Sequence, residues 1–306
     1  MTITFDGRVA IVTGAGGGLG RSHALGLAAR GAKVVVNDLG RGGEPPETSL
    51  AVVEEIEEAG GVAMADGADV SNAEQVAAMV ERAEAEWGSV DILVNNAGIL
   101  RDKSFAKMDL AEFELVVKVH LLGSAICAKA VWNGMRERNY GRVVFTASAS
   151  GLYGNFGQAN YGAAKAGMIG LMNVLHLEGA KYNIRVNTLA PTAATNMTAG
   201  LITPEMAALM TPESVTPGVL YLVSENAPSR VILGAGAGTF AVSYITETSG
   251  LFLPEVHRTP ETIAERFSEI ANPASARPLD NAFAQTFKFV EAAARRLGVS
   301  LPKQGG

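Results

Sequence analysis

The sequence predicts a doubly wound α/β fold, a parallel sheet covered by helices on both faces, and three observations carry that expectation. Short β-branched runs such as VAIV, KVVV and DILV are apolar throughout, as strands covered on both sides are. Longer Ala-rich segments separate them, and parallel pairing needs crossovers of about that length. Glycine, 35 of 306 residues, gathers in short motifs beside those runs, where the backbone needs conformations closed to other residues. With 48% hydrophobic and 18% charged residues the chain fills a large core, and its composition is the reverse of a disordered one.

Taken in order, Arg8–Thr13 is expected as a strand, Leu19–Arg30 as a helix and Lys33–Asn37 as the second strand. Helix over Ser49–Ala59, strand at Gly61–Ala65, helix over Asn72–Trp87 and strand at Asp91–Val94 repeat the rhythm. One long helix is expected from Leu110 to Arg138, then a strand at Arg142–Ala147, a helix over Ala159–Lys181 and a strand at Ile184–Leu189. A helix around Pro217–Ser224 and a strand near Val231–Leu233 close the core. The Gly- and Pro-rich stretch Gly40–Thr48 reads as a loop inserted after the second strand. From Pro191 to Thr216 prolines interrupt the pattern, which marks a candidate lid at the ligand edge. Two tail helices are expected, at Glu261–Ala271 and Ala282–Leu297. The chain is therefore divided into a dinucleotide-binding domain over residues 1–240 and a helical extension over 241–306, expected to pack on that same domain.

Composition excludes several classes. A net charge of −6 leaves no basic footprint for nucleic acid. The single cysteine, Cys127, rules out a disulfide framework and a Cys-cluster metal site, and the histidines have no ligand spacing, so no metal is expected. The N-terminus has no basic n-region, and the longest uncharged stretch, Val143–Ala164, is rich in Ser, Gly, Asn and Gln, so membrane insertion is not expected. The C-terminal Leu-Pro-Lys-Gln-Gly-Gly carries no peroxisomal or reticular address, and the expectation is a soluble cytoplasmic protein.

Two motif groups carry chemistry. The first strand runs straight into Thr13-Gly14-Ala15-Gly16-Gly17-Gly18-Leu19-Gly20 and then a helix, so backbone N–H groups and a helix N-terminus face one spot, the arrangement that holds a pyrophosphate. Asp38 ends the next strand, 24 positions after Gly14, where a carboxylate accepts bonds from both ribose hydroxyls and repels a 2′-phosphate. Gly17 stands where a cation for that phosphate would be placed, so NAD is favoured over NADP. In the bland reading Asp38 only caps the Gly40 loop. The second group is Ser148, just past a strand end, with Tyr161 and Lys165 four apart on one helix face. A phenol with an ordinary pKa of about 10 is a poor base near neutrality, and an adjacent ammonium is expected to lower it and suit it to proton exchange with an alcohol oxygen. Singly, Tyr161 reads as a half-buried amphipath and Lys165 as a solvated cation; beside the glycine loop they read as a site.

These motifs, TGAGGGLG, Asn95-Asn96-Ala97-Gly98, and Ser148 with Tyr161-Gly-Ala-Ala-Lys165, resemble the short-chain dehydrogenase/reductase family from about Arg8 to Leu233. The resemblance implies a Rossmann-like domain with NAD and assigns Tyr161 as acid/base, Ser148 as partner of the substrate oxygen, and Lys165 as ribose binder and tuner of the phenol. It further implies that Gly14, Gly18, Leu19, Gly20, Asp38, Asp69, Val70, Asn95, Asn96, Gly98 and Thr195 contact the cofactor, and that the protein is a homodimer or homotetramer. His120 replaces the family's helix asparagine and reads equally as a catalytic relay residue or a packing residue. Pro191-Thr192 replaces the usual Pro-Gly, which weakens the transfer for Thr195. The stretches NNAGILRDKSFAKM, KVHLLGS and ASGLYGNFGQANYGAAK are similar to the (3R)-hydroxyacyl-CoA dehydrogenase branch found in peroxisomal multifunctional enzymes (D-bifunctional proteins). That branch oxidises fatty and sterol side-chain thioesters, so the small-molecule partner is expected to be acyl-CoA or steroid-like. Leu152, Tyr153 and Phe156 offer apolar surface to it. Arg101, Lys103 and Lys107 either meet CoA phosphates or form a solvated basic loop. The alternatives are a ketone reductase or hydroxysteroid dehydrogenase on a free substrate and, in another class, a dinucleotide-binding protein without activity.

Overall fold

The computed structural model describes residues 2–194 and 203–302. They form two compact units, divided between Ser243 and Tyr244.

In the first unit the chain runs β1 (Val9–Thr13), α1 (Gly18–Ala28), β2 (Lys33–Asn37), α2 (Glu47–Glu58), β3 (Val62–Asp66), α3 (Ala73–Trp87) and β4 (Ile92–Asn95). It continues through α4 (Leu110–Val117), α5 (Gly123–Glu137), β5 (Gly141–Thr146), α6 (Ala149–Tyr153), α7 (Ala159–Gly179), β6 (Ile184–Thr192), α8 (Pro204–Leu209), α9 (Thr216–Leu222), β7 (Ile232–Gly236) and β8 (Thr239–Ser243). The sheet order is β3-β2-β1-β4-β5-β6-β7-β8, and the fold is the Rossmann-like α/β class. All neighbours are parallel except β8, which returns antiparallel along β7.

Strand alternation divides the core. Ile11, Val35, Leu93, Val143 and Phe145 pack on one face with Met79, Val131, Met168 and Met172 of α3, α5 and α7. Ala10, Val12, Val34, Val36, Ile92 and Val144 pack on the other with Leu27, Ile56 and Val219 of α1, α2 and α9. Polar residues stop the apolar runs at the carboxyl edge: Thr13, Asn37, Asp66, Asn95 and Thr146 each end a strand and are buried. Strand order reverses between β1 and its neighbours β2 and β4, which opens a crevice at that edge, where open α/β sheets take ligands.

The structure departs from the expected elements in several places. The long helix is interrupted by a π-turn over Lys118–Leu122, which carries His120. The whole span Leu110–Glu137 is long and apolar enough to cross a bilayer by length and composition, yet Val116, Cys127, Ala128, Val131, Trp132 and Met135 are buried core. β6 continues through Pro191 to Thr192, which pairs with Gly236; a side chain at 236 would lie 2.7 Å from the Thr192 carbonyl oxygen. The expected domain limit at residue 240 falls inside β8, a strand the sequence reading missed.

In the second unit, β9 (Thr246–Glu247) pairs antiparallel with β10 (Arg277–Pro278). Between them the expected single helix is two, α10 (Pro260–Glu265) and α11 (Phe267–Ile270), followed after β10 by α12 (Ala282–Leu297).

Candidate active site

The loop between β1 and α1 is shaped by absent side chains. Gly14 (φ +64°) and Gly18 (φ +53°) take left-handed backbone, and a Cβ at Gly20 would lie 2.1 Å from the Gly14 carbonyl oxygen. Gly17 precedes α1 with no side-chain cap, so the first-turn N–H groups and the positive helix end face open space. Leu19 packs partly into the core beneath. Asp38 reaches back to this loop: Oδ2 accepts from the Gly16 N–H at 2.9 Å and Oδ1 from the Leu39 N–H at 2.8 Å. Asn96 stitches β4 to β1, its Nδ2 donating to the Thr13 and Gly14 carbonyls at 3.0 Å each. Asn95, 2% exposed, has no partner for either side-chain amide atom among the described residues. Asp69 closes the turn after β3, accepting from the Ser71 N–H at 2.8 Å, and the buried Val70 beside it requires Gly123, where a Cβ would sit 2.9 Å away. Thr195 lies outside the described residues.

At the end of β5, Ser148 caps α6, accepting from the Ser150 N–H at 3.1 Å, and its hydroxyl acts on the Tyr161 phenol to lower its proton affinity. Lys165, one turn along α7, is 2% exposed, with Nζ 2.5 Å from the Thr146 carbonyl and 5.3 Å from the Tyr161 ring centroid. The expectation that this ammonium lowers the phenol is corrected here. Burial pushes Tyr161 above its ordinary range, with the Asp102 charge adding to it and only the Ser148 hydrogen bond opposing. The same burial pulls Lys165 down to about 7, so its charge is partly given up near neutrality.

His120 meets Tyr161 edge-on, ring centroids 5.2 Å apart. Its Nε2 lies 3.0 Å from the Ile99 nitrogen and 2.8 Å from the Ile99 oxygen, so either tautomer is held by the backbone of that one residue. Gly98 makes the room: a Cβ there would be 2.1 Å from His120 Cε1. Burial first, then the Lys165 charge, lowers the imidazole to about 3 against the opposing hydrogen bond to Ile99, so the ring is neutral at physiological pH. Its Nδ1 has no partner among the described residues.

Tyr153 and Phe156 are 75% and 90% exposed, and Tyr153 Oη is 2.9 Å from Ser243 Oγ of β8. Arg101 is paired with Glu112 at 3.0 Å, which favours the solvated-loop reading for that cation. Three polar residues that sequence reasoning passed over also converge here. Asp102, Gln158 and the fully buried Asn160 join the loop after β4 to the start of α7. The signal available was a polar pair, Gln158 and Asn160, immediately before the tyrosine at a helix start.

The glycine cradle, the uncapped helix end, the Asp38 carboxylate and the orphaned Asn95 amide fit a dinucleotide along the β1–β4 crevice, with Tyr161 at its far end. The chain belongs to the short-chain dehydrogenase family, whose model matches residues 8–205. It is an oxidoreductase acting on CH–OH groups of small molecules with a nicotinamide dinucleotide. Over 278 residues it is 48% identical to the peroxisomal hydratase-dehydrogenase-epimerase of Saccharomyces cerevisiae, covering 88% of this chain and 31% of that protein. The chain thus spans about a third of that relative. A short-chain type dehydrogenase/reductase of Mycobacterium tuberculosis is 45% identical, with 88% of this chain and 96% of the relative covered. Among solved structures, full-length peroxisomal multifunctional enzyme type 2 from Drosophila melanogaster superposes with a TM-score of 0.81 at 37% identity, covering 96% of this chain and 51% of that one. A 7α-hydroxysteroid dehydrogenase complexed with NADH and 7-oxo glycochenodeoxycholic acid gives 0.70 at 30% identity, covering 77% and 95%. The yeast and fly names correct the expectation of a cytoplasmic protein: both relatives are peroxisomal by name, and a missing end tripeptide was no ground for the contrary.

Proposed function

We propose that the chain oxidises the secondary alcohol of a (3R)-hydroxyacyl-CoA, a fatty or sterol side-chain thioester, with NAD. The observation that carries this is the Tyr161 phenol one helical turn from the buried Lys165, whose Nζ is 5.3 Å from its ring centroid, with Ser148 heading the neighbouring short helix at the ligand edge of the sheet. When bound, the nicotinamide ring supplies the hydride acceptor. Ser148 fixes the alcohol oxygen, and Tyr161 takes its proton as the carbon gives up hydride. Lys165 holds the ribose and returns positive charge beside the phenolate once a ligand supplies hydrogen-bonding oxygens. His120 contributes as a neutral ring that pins Ile99 and packs on Tyr161.

NAD is favoured because Asp38, held by the Gly16 N–H, leaves its remaining lone pairs for ribose hydroxyls and sets a negative charge against a 2′-phosphate. Asp38→Ala is expected to raise KM for NAD about tenfold and to narrow the NAD-over-NADP ratio of kcat/KM by a larger factor. Initial rates with both cofactors check this, and an unchanged ratio defeats the assignment.

The thioester reading draws on relatives named as a peroxisomal hydratase-dehydrogenase-epimerase and peroxisomal multifunctional enzymes, and on the exposed Tyr153 and Phe156, which suit an apolar acyl body. A free hydroxysteroid is the second reading, favoured by the structural likeness to the bile-acid-bound 7α-hydroxysteroid dehydrogenase. Turnover of a (3R)-hydroxyacyl-CoA, its free acid and a free hydroxysteroid separates them. The thioester is expected to have at least tenfold higher kcat/KM, since remote binding energy is spent at the reacting carbon. Equal rates would remove CoA from the reading.

A further inference from the structure

One side chain ties together three pieces of the site that the secondary structure leaves separate. Gln158, three residues before Tyr161, donates from Nε2 to Asp102 Oδ2 at 2.7 Å. Its Oε1 accepts from Ser150 Oγ at 2.7 Å and from Asn155 Nδ2 at 3.1 Å. Asp102 stands on the loop after β4, Ser150 on the short helix headed by Ser148, and Gln158 at the head of α7. The Lys103 N–H donates to the Gly157 carbonyl at 2.9 Å alongside, and Asn160 completes the seam. Its Nδ2 donates to the Arg101 carbonyl at 3.0 Å and its Oδ1 accepts from the Tyr161 N–H at 2.7 Å. None of the three Gln158 side-chain bonds closes a helix or a strand ladder, and Gln158 provides no side-chain cap for α7.

We propose that Gln158, bridging Asp102 and Ser150, is a positioning residue that holds Ser148 and Tyr161 in register for proton transfer and keeps the Asp102 charge within reach of the phenol. This rests on the reading of Tyr161 as the acid/base group. Register matters because the phenol and the serine hydroxyl must meet one substrate oxygen, and a displacement of about 1 Å costs up to 100-fold in rate. The groups around the phenol are few: Ser148 from the end of β5, Lys165 from α7 itself, the neutral His120 from the π-turn, and Asp102 from the loop after β4. Among the described residues Asp102 is the one anion acting on the ring, and its charge disfavours the phenolate.

The test compares Gln158→Leu, Asp102→Asn and Asp102→Ala with Tyr161→Phe in the intact chain, using NAD and the best alcohol substrate found. Gln158→Leu is expected to lower kcat about tenfold or more, with KM for NAD nearly constant because the glycine loop is untouched. Asp102→Asn keeps an acceptor for Gln158 but removes the charge, so the acidic limb of kcat/KM for alcohol oxidation moves to lower pH by about half a unit. Asp102→Ala shows that shift and a fall in kcat as well. Far-UV circular dichroism and a melting curve establish folding, and the bond between the Gln158 and Asp102 side chains lies near the surface, where substitution is tolerated. If Gln158→Leu keeps kcat within twofold and the Asp102→Asn profile superposes on the parent, the latch is refuted while a dead Tyr161→Phe leaves the acid/base reading standing. An active Tyr161→Phe refutes that reading instead.

Discussion

Tyr161→Phe is expected to cut kcat by roughly 100- to 10,000-fold while leaving the Kd for NAD within about twofold. The ring stays, so its edge contact with His120 and its packing on α7 survive. Only the phenolic oxygen and its exchangeable proton are lost. Stopped-flow turnover and a fluorescence titration of the dinucleotide measure the two quantities on the same preparation. A pH series sharpens the result. Burial and Asp102 hold the phenol above its ordinary range, so the protonated form dominates at neutrality. Alcohol oxidation needs the phenolate, and its rate in the parent is therefore expected to climb as pH rises; carbonyl reduction needs the phenol and is favoured as pH falls. The Phe variant loses both slopes. A variant retaining more than a tenth of the parent rate would remove Tyr161 from the mechanism and leave a dinucleotide binder as the better reading.

What the sequence made legible follows from range. β2 lies at Lys33–Asn37 and α12 at Ala282–Leu297, where periodicity and flanking residues placed them, because continuous apolar runs and amphipathic stripes are local signals. Ser148, Tyr161 and Lys165 were legible by spacing, two of them on one helix face. β8 was not. Its turn, Ala237-Gly238, has both residues at positive φ, a hairpin signal hidden in the glycine-rich GAGAG run that reads as loop. The π-turn was invisible because KVHLLGS continues the helical period without a breaker, and the extra residue that rotates His120 toward Ile99 leaves no mark in composition. The phenol's proton affinity was misread for a related reason: an i, i+4 spacing gives proximity to Lys165 but no burial, and burial is the larger influence on both groups. The Gln158–Asp102 bond joins residues 56 apart, beyond what one sequence can pair.

The opposite edge of the sheet answers to stability, and there the largest loss is expected from Arg142→Met. Arg142 opens β5 as a fully buried cation. Its guanidinium donates to the Ser224 carbonyl at 2.9 Å and to the Gly141, Asn183 and Glu225 carbonyls at 2.8 Å each, pinning the ends of α9 and the turn before β6 to the sheet. It also lies 4.2 Å from the Tyr140 ring centroid, with Arg8 3.5 Å from that same ring, and burial pulls its pKa down from the ordinary range. Methionine fills the stem volume but removes the guanidinium donor from four carbonyls, of which Ser224 and Asn183 keep a backbone N–H, and the expected cost is about 3–5 kcal/mol in urea unfolding. Arg142→Lys is expected to recover little, because a compact ammonium cannot reach four carbonyls with the geometry of a planar fork. The turnover number of the molecules that remain folded should match the parent, since no atom of this cluster belongs to the site at the carboxyl edge. A loss below about 1 kcal/mol for Arg142→Met would mean that water replaces the fork, and that the buried cation is tolerated at this edge without holding it together.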